Sequence, residues 1–102
     1  MIEKYNSKYI ECFENELVIC IGEDFSALPI FGCKITDWDE KGKEVLRWCI
    51  SFGETDTEDQ EKYITVKELI IKNPKIEPFL HLESRFSFVI DEDGEDVWEE
   101  EF

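Results

Sequence analysis

A chain of 102 residues with 26 acids and 11 bases carries a net charge of -15, yet it holds eight Phe, three Trp and three Tyr. That length is one domain, residues 1–102 as a single unit, and 42% apolar with 14% aromatic content excludes the disordered class, which lacks aromatics. The charge excludes nucleic acid and anionic membranes as partners and selects basic protein surfaces.

In chain order, Met1 to Lys8 has no apolar stretch of the kind a secretory leader needs, so a cytoplasmic protein is expected. Lys8 to Phe13 and Leu17 to Ile21 read as strands joined in a hairpin at Glu14-Asn15-Glu16. Leu17-Val18-Ile19-Cys20-Ile21 is apolar on both faces, the mark of a central strand. It is also the longest apolar run, far short of a membrane span. Gly22-Glu23-Asp24 breaks it, and a loop runs through Phe25 to Pro29.

Ile30 to Trp38 and Glu44 to Phe52 form a second hairpin around Asp39-Glu40-Lys41-Gly42-Lys43, where Gly42 can supply a positive φ. In its second arm Leu46, Trp48, Ile50 and Phe52 make a better core face than Val45, Arg47, Cys49 and Ser51. Gly53 to Glu61 is an acidic loop. Thr65 then caps a helix, with Glu68 completing a capping box and Ile64 and Leu69 at the staple positions. Val66, Leu69 and Ile70 share its buried face. Asn73-Pro74 ends that helix and starts a shorter one, with Asn73 as cap and Ile76, Phe79 and Leu80 facing the core. A last hairpin has Phe86 to Ile90 as its first strand, a turn from Asp91 to Glu95 and a return from Asp96. The class is α+β: one domain, an antiparallel sheet of about six strands in the order β-β-β-β-α-α-β-β, with two short helices on one face.

No residues assemble into catalytic chemistry, and an enzyme is not expected. Cys12, Cys20, Cys33 and Cys49 contain no Cys-x-x-Cys, and His81, the one histidine, cannot complete a zinc cluster. Reduced core thiols in a reducing compartment are the expectation, with no metal and no cofactor. Asp91-Glu92-Asp93-Gly94 resembles a calcium loop until its first ligand position falls on Val89, which has no side-chain oxygen. Acids on charged loops are solvated, and none is singled out as a general acid or base.

The acids are not evenly spread. Residues 1–53 hold ten acids and six bases, whereas residues 54–102 hold sixteen acids and five bases, a net of -4 against -11. Glu54, Asp56, Glu58 and Asp59 crowd the loop after Gly53; Asp91, Asp93, Glu95, Asp96 and Glu99 crowd the terminal hairpin around Trp98. These are the candidate partner-binding residues. The acids would steer and register a cationic partner, and Trp98, with Phe102 and Trp38, would supply the apolar anchors that charge cannot.

The stretch from Trp48 to Phe88 resembles a family of bacterial polymorphic-toxin immunity proteins. Its marks are Trp48 followed by Gly53 and the acids Glu54 and Asp56, then Asn73-Pro74-Lys75-Ile76-Glu77-Pro78-Phe79-Leu80, then Phe88 and the closing turn Asp91-Glu92-Asp93-Gly94. The resemblance implies an α+β immunity protein that neutralises a cognate toxin domain by binding it, a basic nuclease being the natural target of an acidic plug. Acidity alone leaves two other readings open: a phage-type nucleic-acid mimic that inhibits a host nuclease, and an adaptor domain unconnected with any toxin.

Overall fold

The computed structural model describes residues 10–22, 24–53 and 61–99. Six strands form one sheet: β1 (Leu17–Ile21), β2 (Ile30–Trp38), β3 (Glu44–Phe52), β4 (Glu61–Thr65), β5 (Phe86–Asp91) and β6 (Gly94–Glu99), in the spatial order β4-β1-β3-β2-β5-β6. Between β4 and β5 lie α1 (Val66–Lys72), a 3-10 turn (Pro74–Ile76) and α2 (Glu77–Leu80). The sheet is antiparallel except where β1 and β3 run parallel.

The β2–β3 hairpin has the expected bounds and pairs over its whole length, from Ile30↔Phe52 to Trp38↔Glu44. Its turn is built by Asp39, whose carboxylate accepts from the amides of Lys41 and Lys43, both at 2.9 Å. Gly42 adopts a φ of 77° there, a conformation a side chain would strain.

The first expected hairpin does not form. Residues 8 and 9 lie outside the described residues, and Ile10 to Phe13 carry no strand. Both edges of β1 are already occupied, one by β3 and the other by β4. The preceding segment is instead clasped to His81: the Ile10 amide donates to the His81 carbonyl, and His81 Nδ1 stands 2.9 Å from the Ile10 carbonyl. The sixth strand is supplied by β4, which the sequence marked only as the approach to a helix. Backbone bonds from Val66 to Glu16 and from Lys67 to Glu14 lock that approach against the turn before β1.

The helices cover one face of the sheet. Val18, Cys20, Ile30, Trp48, Ile50, Phe52, Phe86 and Phe88 meet Val66, Leu69, Ile76, Phe79, Leu80 and Leu82 in one buried cluster. Leu46, expected in this core, is exposed, because the hairpin runs past the end of the helical layer. Thr65 caps α1, its hydroxyl accepting from the Glu68 amide at 3.2 Å. Asn73 does not cap the 3-10 turn; its side-chain amide donates to the Phe25 carbonyl at 2.8 Å and ties the loop before β2 to the helices.

The large apolar residues that carry the family resemblance, Trp48, Ile76, Phe79, Leu80 and Phe88, are interior. The Trp48 indole donates to the carbonyl of Leu80, the last residue of the Asn-Pro segment, at 3.1 Å. Phe88 lies edge-on to Trp48 and stacks on Phe79. These apolar residues specify the core, so partner recognition must be sought among other side chains.

Candidate functional site

Strand alternation divides the side chains into two sets. On the face away from the helices the registers align Tyr63 with Ile19, Ile19 with Cys49, Arg47 with Ile35, Phe31 with Val89, Val89 with Asp96, and Ser87 with Trp98. Several apolar side chains of this face are open to solvent: Leu17 at 43%, Tyr63 at 51%, and Phe31 and Ile35 at 36% each. Trp98 is half-buried and lies 5.7 Å, centroid to centroid, from Phe31.

The charged residues of the same face follow from the same registers. Glu61 of β4, Asp37 of β2, Asp91 of β5 and Asp96 of β6 stand against Arg47 of β3, four acids to one base and a net of -3. Arg47 is itself committed. Its Nε lies 2.9 Å from Asp37 Oδ2, an ion contact off the N–H axis, and its guanidinium sits 5.6 Å from the Tyr63 ring centroid. The Tyr63 hydroxyl donates to the same carboxylate at 3.2 Å. The Trp38 amide first, then Tyr63 and Arg47, hold the Asp37 carboxyl below the usual carboxylate range, outweighing the push of desolvation. The triad is therefore a fixed polar island among apolar side chains.

The candidate residues of the terminal hairpin are brought together. Asp91↔Gly94 closes a tight turn, in which the Asp91 carboxylate accepts from the Asp93 amide at 2.9 Å. That bond gives the Asp-rich turn a structural role of its own. Among the described residues no three His, Cys, Asp or Glu side chains converge as a metal site. Asp93 is at the exposed tip. Glu95 and Asp96 follow on β6, an outer strand of the sheet, pointing to opposite faces. Glu99, at its far end, accepts from Arg85 Nη1 at 2.8 Å. Charge along an outer strand also guards against edge-to-edge pairing, so these acids have a protective role alongside any binding role.

Glu54, Asp56, Glu58 and Asp59 lie outside the described residues. The points where their loop leaves and rejoins the sheet are described, however. Phe52 and Ile90 both align with Ile30, and Ile21 aligns with both Ser51 and Glu61. Gly53, Glu61 and the Asp91–Gly94 turn are thus at one end of the sheet, whereas Trp98 and Glu99 are toward the other.

Sequence reasoning missed Leu17, Phe31, Ile35, Tyr63 and the Arg47–Asp37 pair. One signal was present: Phe31, Cys33 and Ile35 form an apolar alternation opposed to Ile30 and Gly32, which marks a strand apolar on both faces. The thiols differ from expectation in degree. None of the four is in a disulfide, but only Cys20 is fully buried, while Cys12, Cys33 and Cys49 are half-buried. Burial, then the nearby Cys49 and Glu68, pushes the Cys20 thiol up to about 12.

The family model described as the Imm33-like domain matches residues 1–100. The match extends over the N-terminal half, where the motif resemblance was silent. No curated protein and no solved structure matches the chain.

Proposed function

The chain belongs to the Imm33-like family of immunity domains, and we propose on that premise that it protects the cell that makes it by binding a cognate toxin domain and covering its working surface. It acts in the cytoplasm, by occlusion and without chemistry of its own. Among the described residues no helix is long and apolar enough to cross a membrane, which is compatible with that location.

The observation that carries this reading is the placement of the acids. Asp91, Asp93, Glu95, Asp96 and Glu99 occupy one exposed hairpin at an outer edge of the sheet, in a chain of net charge -15. A toxin that grips phosphates must present cations. An acidic edge competes for those cations, accelerates encounter and fixes the orientation of docking. A nuclease domain fits that description best. Glu54, Asp56, Glu58 and Asp59 extend the same charge and contribute to the hold once the complex has formed.

The test is titration of the chain against an inactivated toxin domain encoded beside it, by calorimetry and by surface capture at several salt concentrations. A stable complex and protection on co-expression are expected. No complex at any salt concentration, with no protection, sinks the reading. Charge reversal of Glu95, Asp96 and Glu99 to Lys should slow association by on the order of tenfold at low salt and leave the circular dichroism spectrum unchanged. An unaltered rate in a folded variant removes the acidic hairpin from the interface. Neutralising Glu54, Asp56, Glu58 and Asp59 should speed dissociation, and an unchanged rate excludes that loop.

A further inference from the structure

We propose that the helix-free face of the sheet, centred on Leu17, Ile35 and Tyr63, is the docking face for a cationic protein. This rests on the reading above and adds the surface on which the partner sits. Acids alone steer an encounter, but a lasting complex needs apolar anchors in a desolvated centre. The terminal hairpin offers exposed carboxylates but a single half-buried aromatic, Trp98, so further anchors must lie on other strands.

The geometry of the face meets that need. Arg47 aligns with Ile35 across β2 and β3, and Leu17 lies one pleat beyond Ile19, which brings its carbonyl within 3.5 Å of Arg47 Nη1. Leu17, Arg47 and Ile35 therefore form a row across three adjacent strands, roughly 10 Å wide at the usual strand spacing. Tyr63 and Asp37 flank the row, joined by their hydrogen bond. At its end a recess of about 350 Å³, lined by Glu16, Leu17, Val45, Leu46 and Arg47, is open to an incoming aliphatic stem. Toward the other side of the face Phe31 and Trp98 form a second apolar focus. Tyr63 and Arg47 are already immobilised by Asp37, so little side-chain freedom is lost on binding.

Charge selects the occupant. The face carries Asp37, Glu61, Asp91 and Asp96 against Arg47, whose charge Asp37 answers. A second copy of this chain would bring the same acids and another net charge of -15 against it. A basic protein surface, with apolar side chains among its cations, complements the face.

Two sets of substitutions separate this face from the rest of the apolar surface. Leu17→Ser, Ile35→Thr and Tyr63→Ser alter the helix-free face. Ile71→Ser and Ile71→Gln alter a residue that is more exposed, at 72%, but belongs to α1 on the helix side. The probe is the inactivated toxin domain encoded beside the chain, with the wild-type complex as reference. Each substitution in the first set should weaken binding by on the order of tenfold, chiefly through faster dissociation, while the second set leaves it unchanged. If the wild-type chain binds and the first set binds equally well, this face is not the interface although the immunity reading stands. If the wild-type chain itself does not bind, that reading fails first. Sedimentation equilibrium of the chain alone should show a monomer. A dimer abolished by Ile35→Thr would assign the face to a second copy and overturn the proposal.

Discussion

At the scale of single residues, Gly32 shows how tightly this sheet is packed. It aligns with Phe88 across β2 and β5, and a Cβ at position 32 would run into the Phe88 ring. That ring cannot retreat, because it is fully buried, stacked on Phe79 and edge-on to Trp48. Gly32→Ala should therefore destabilise the fold by about 1–3 kcal/mol, the usual range for overpacking a core, read as a lower midpoint in urea unfolding. Cys20 makes a second prediction at this scale. Its thiol is raised to about 12 by burial, from an unfolded value near 9. A raised pKa means stability that is complete below about pH 9 and drains away as pH climbs toward 12. Stability measured across that window should fall, and less steeply in Cys20→Ala, even though the substitution lowers stability at neutral pH.

Among the elements, local chemistry was legible and long-range pairing was not. Thr65 and Glu68 announce the start of α1 because a cap is written within four consecutive residues, and the structure places the cap there. Thr65→Ala should cost about 1 kcal/mol in chemical denaturation, with Thr65→Ser restoring most of it. Gly42 and Gly94 marked their turns for the same local reason, as their positive φ values confirm. By contrast β1 showed itself to be central, but nothing near it in the chain named its neighbours. They are β3, running parallel, and β4, which sits beyond an acidic loop and reads in isolation as a polar lead-in. Segment 10–13 looked like the neighbour only because it is close in sequence. The candidate site divides in the same way. The acids of the terminal hairpin were visible as composition, since they are contiguous. Leu17, Ile35 and Tyr63 come from three strands, and their shared face emerges only when the pairing and the side taken by the helices are both known.

At the scale of the whole molecule, the question is whether the acids of β6 serve the fold. At an ionic strength of 0.01 M the screening length is about 30 Å, comparable with the molecule's extents of 37 × 29 × 28 Å. Every acid then feels nearly every other, and a net charge of -15 works against the compact state. At 1 M the length is about 3 Å, and only touching groups interact. Added sodium chloride should therefore raise the melting temperature, by several degrees for each kcal/mol of relieved repulsion. The opposite sign would be expected if exposed ion pairs such as Arg85–Glu99 and Arg85–Glu83 dominated, but such pairs contribute at most about 1 kcal/mol. Reversing Glu95, Asp96 and Glu99 to Lys changes the net charge from -15 to -9, since each reversal adds two units. That variant gives up one ion pair of Arg85 and loses much of the long-range repulsion. At low salt it should melt at or above the wild-type temperature, and its salt dependence should be shallower. A variant that melts clearly lower at every salt concentration would show that the edge acids stabilise the fold, and their position would need no partner to explain it. With the expected result, β6 carries its acids at a cost to stability, as the proposed docking of a cationic partner and the guarding of an outer strand both require.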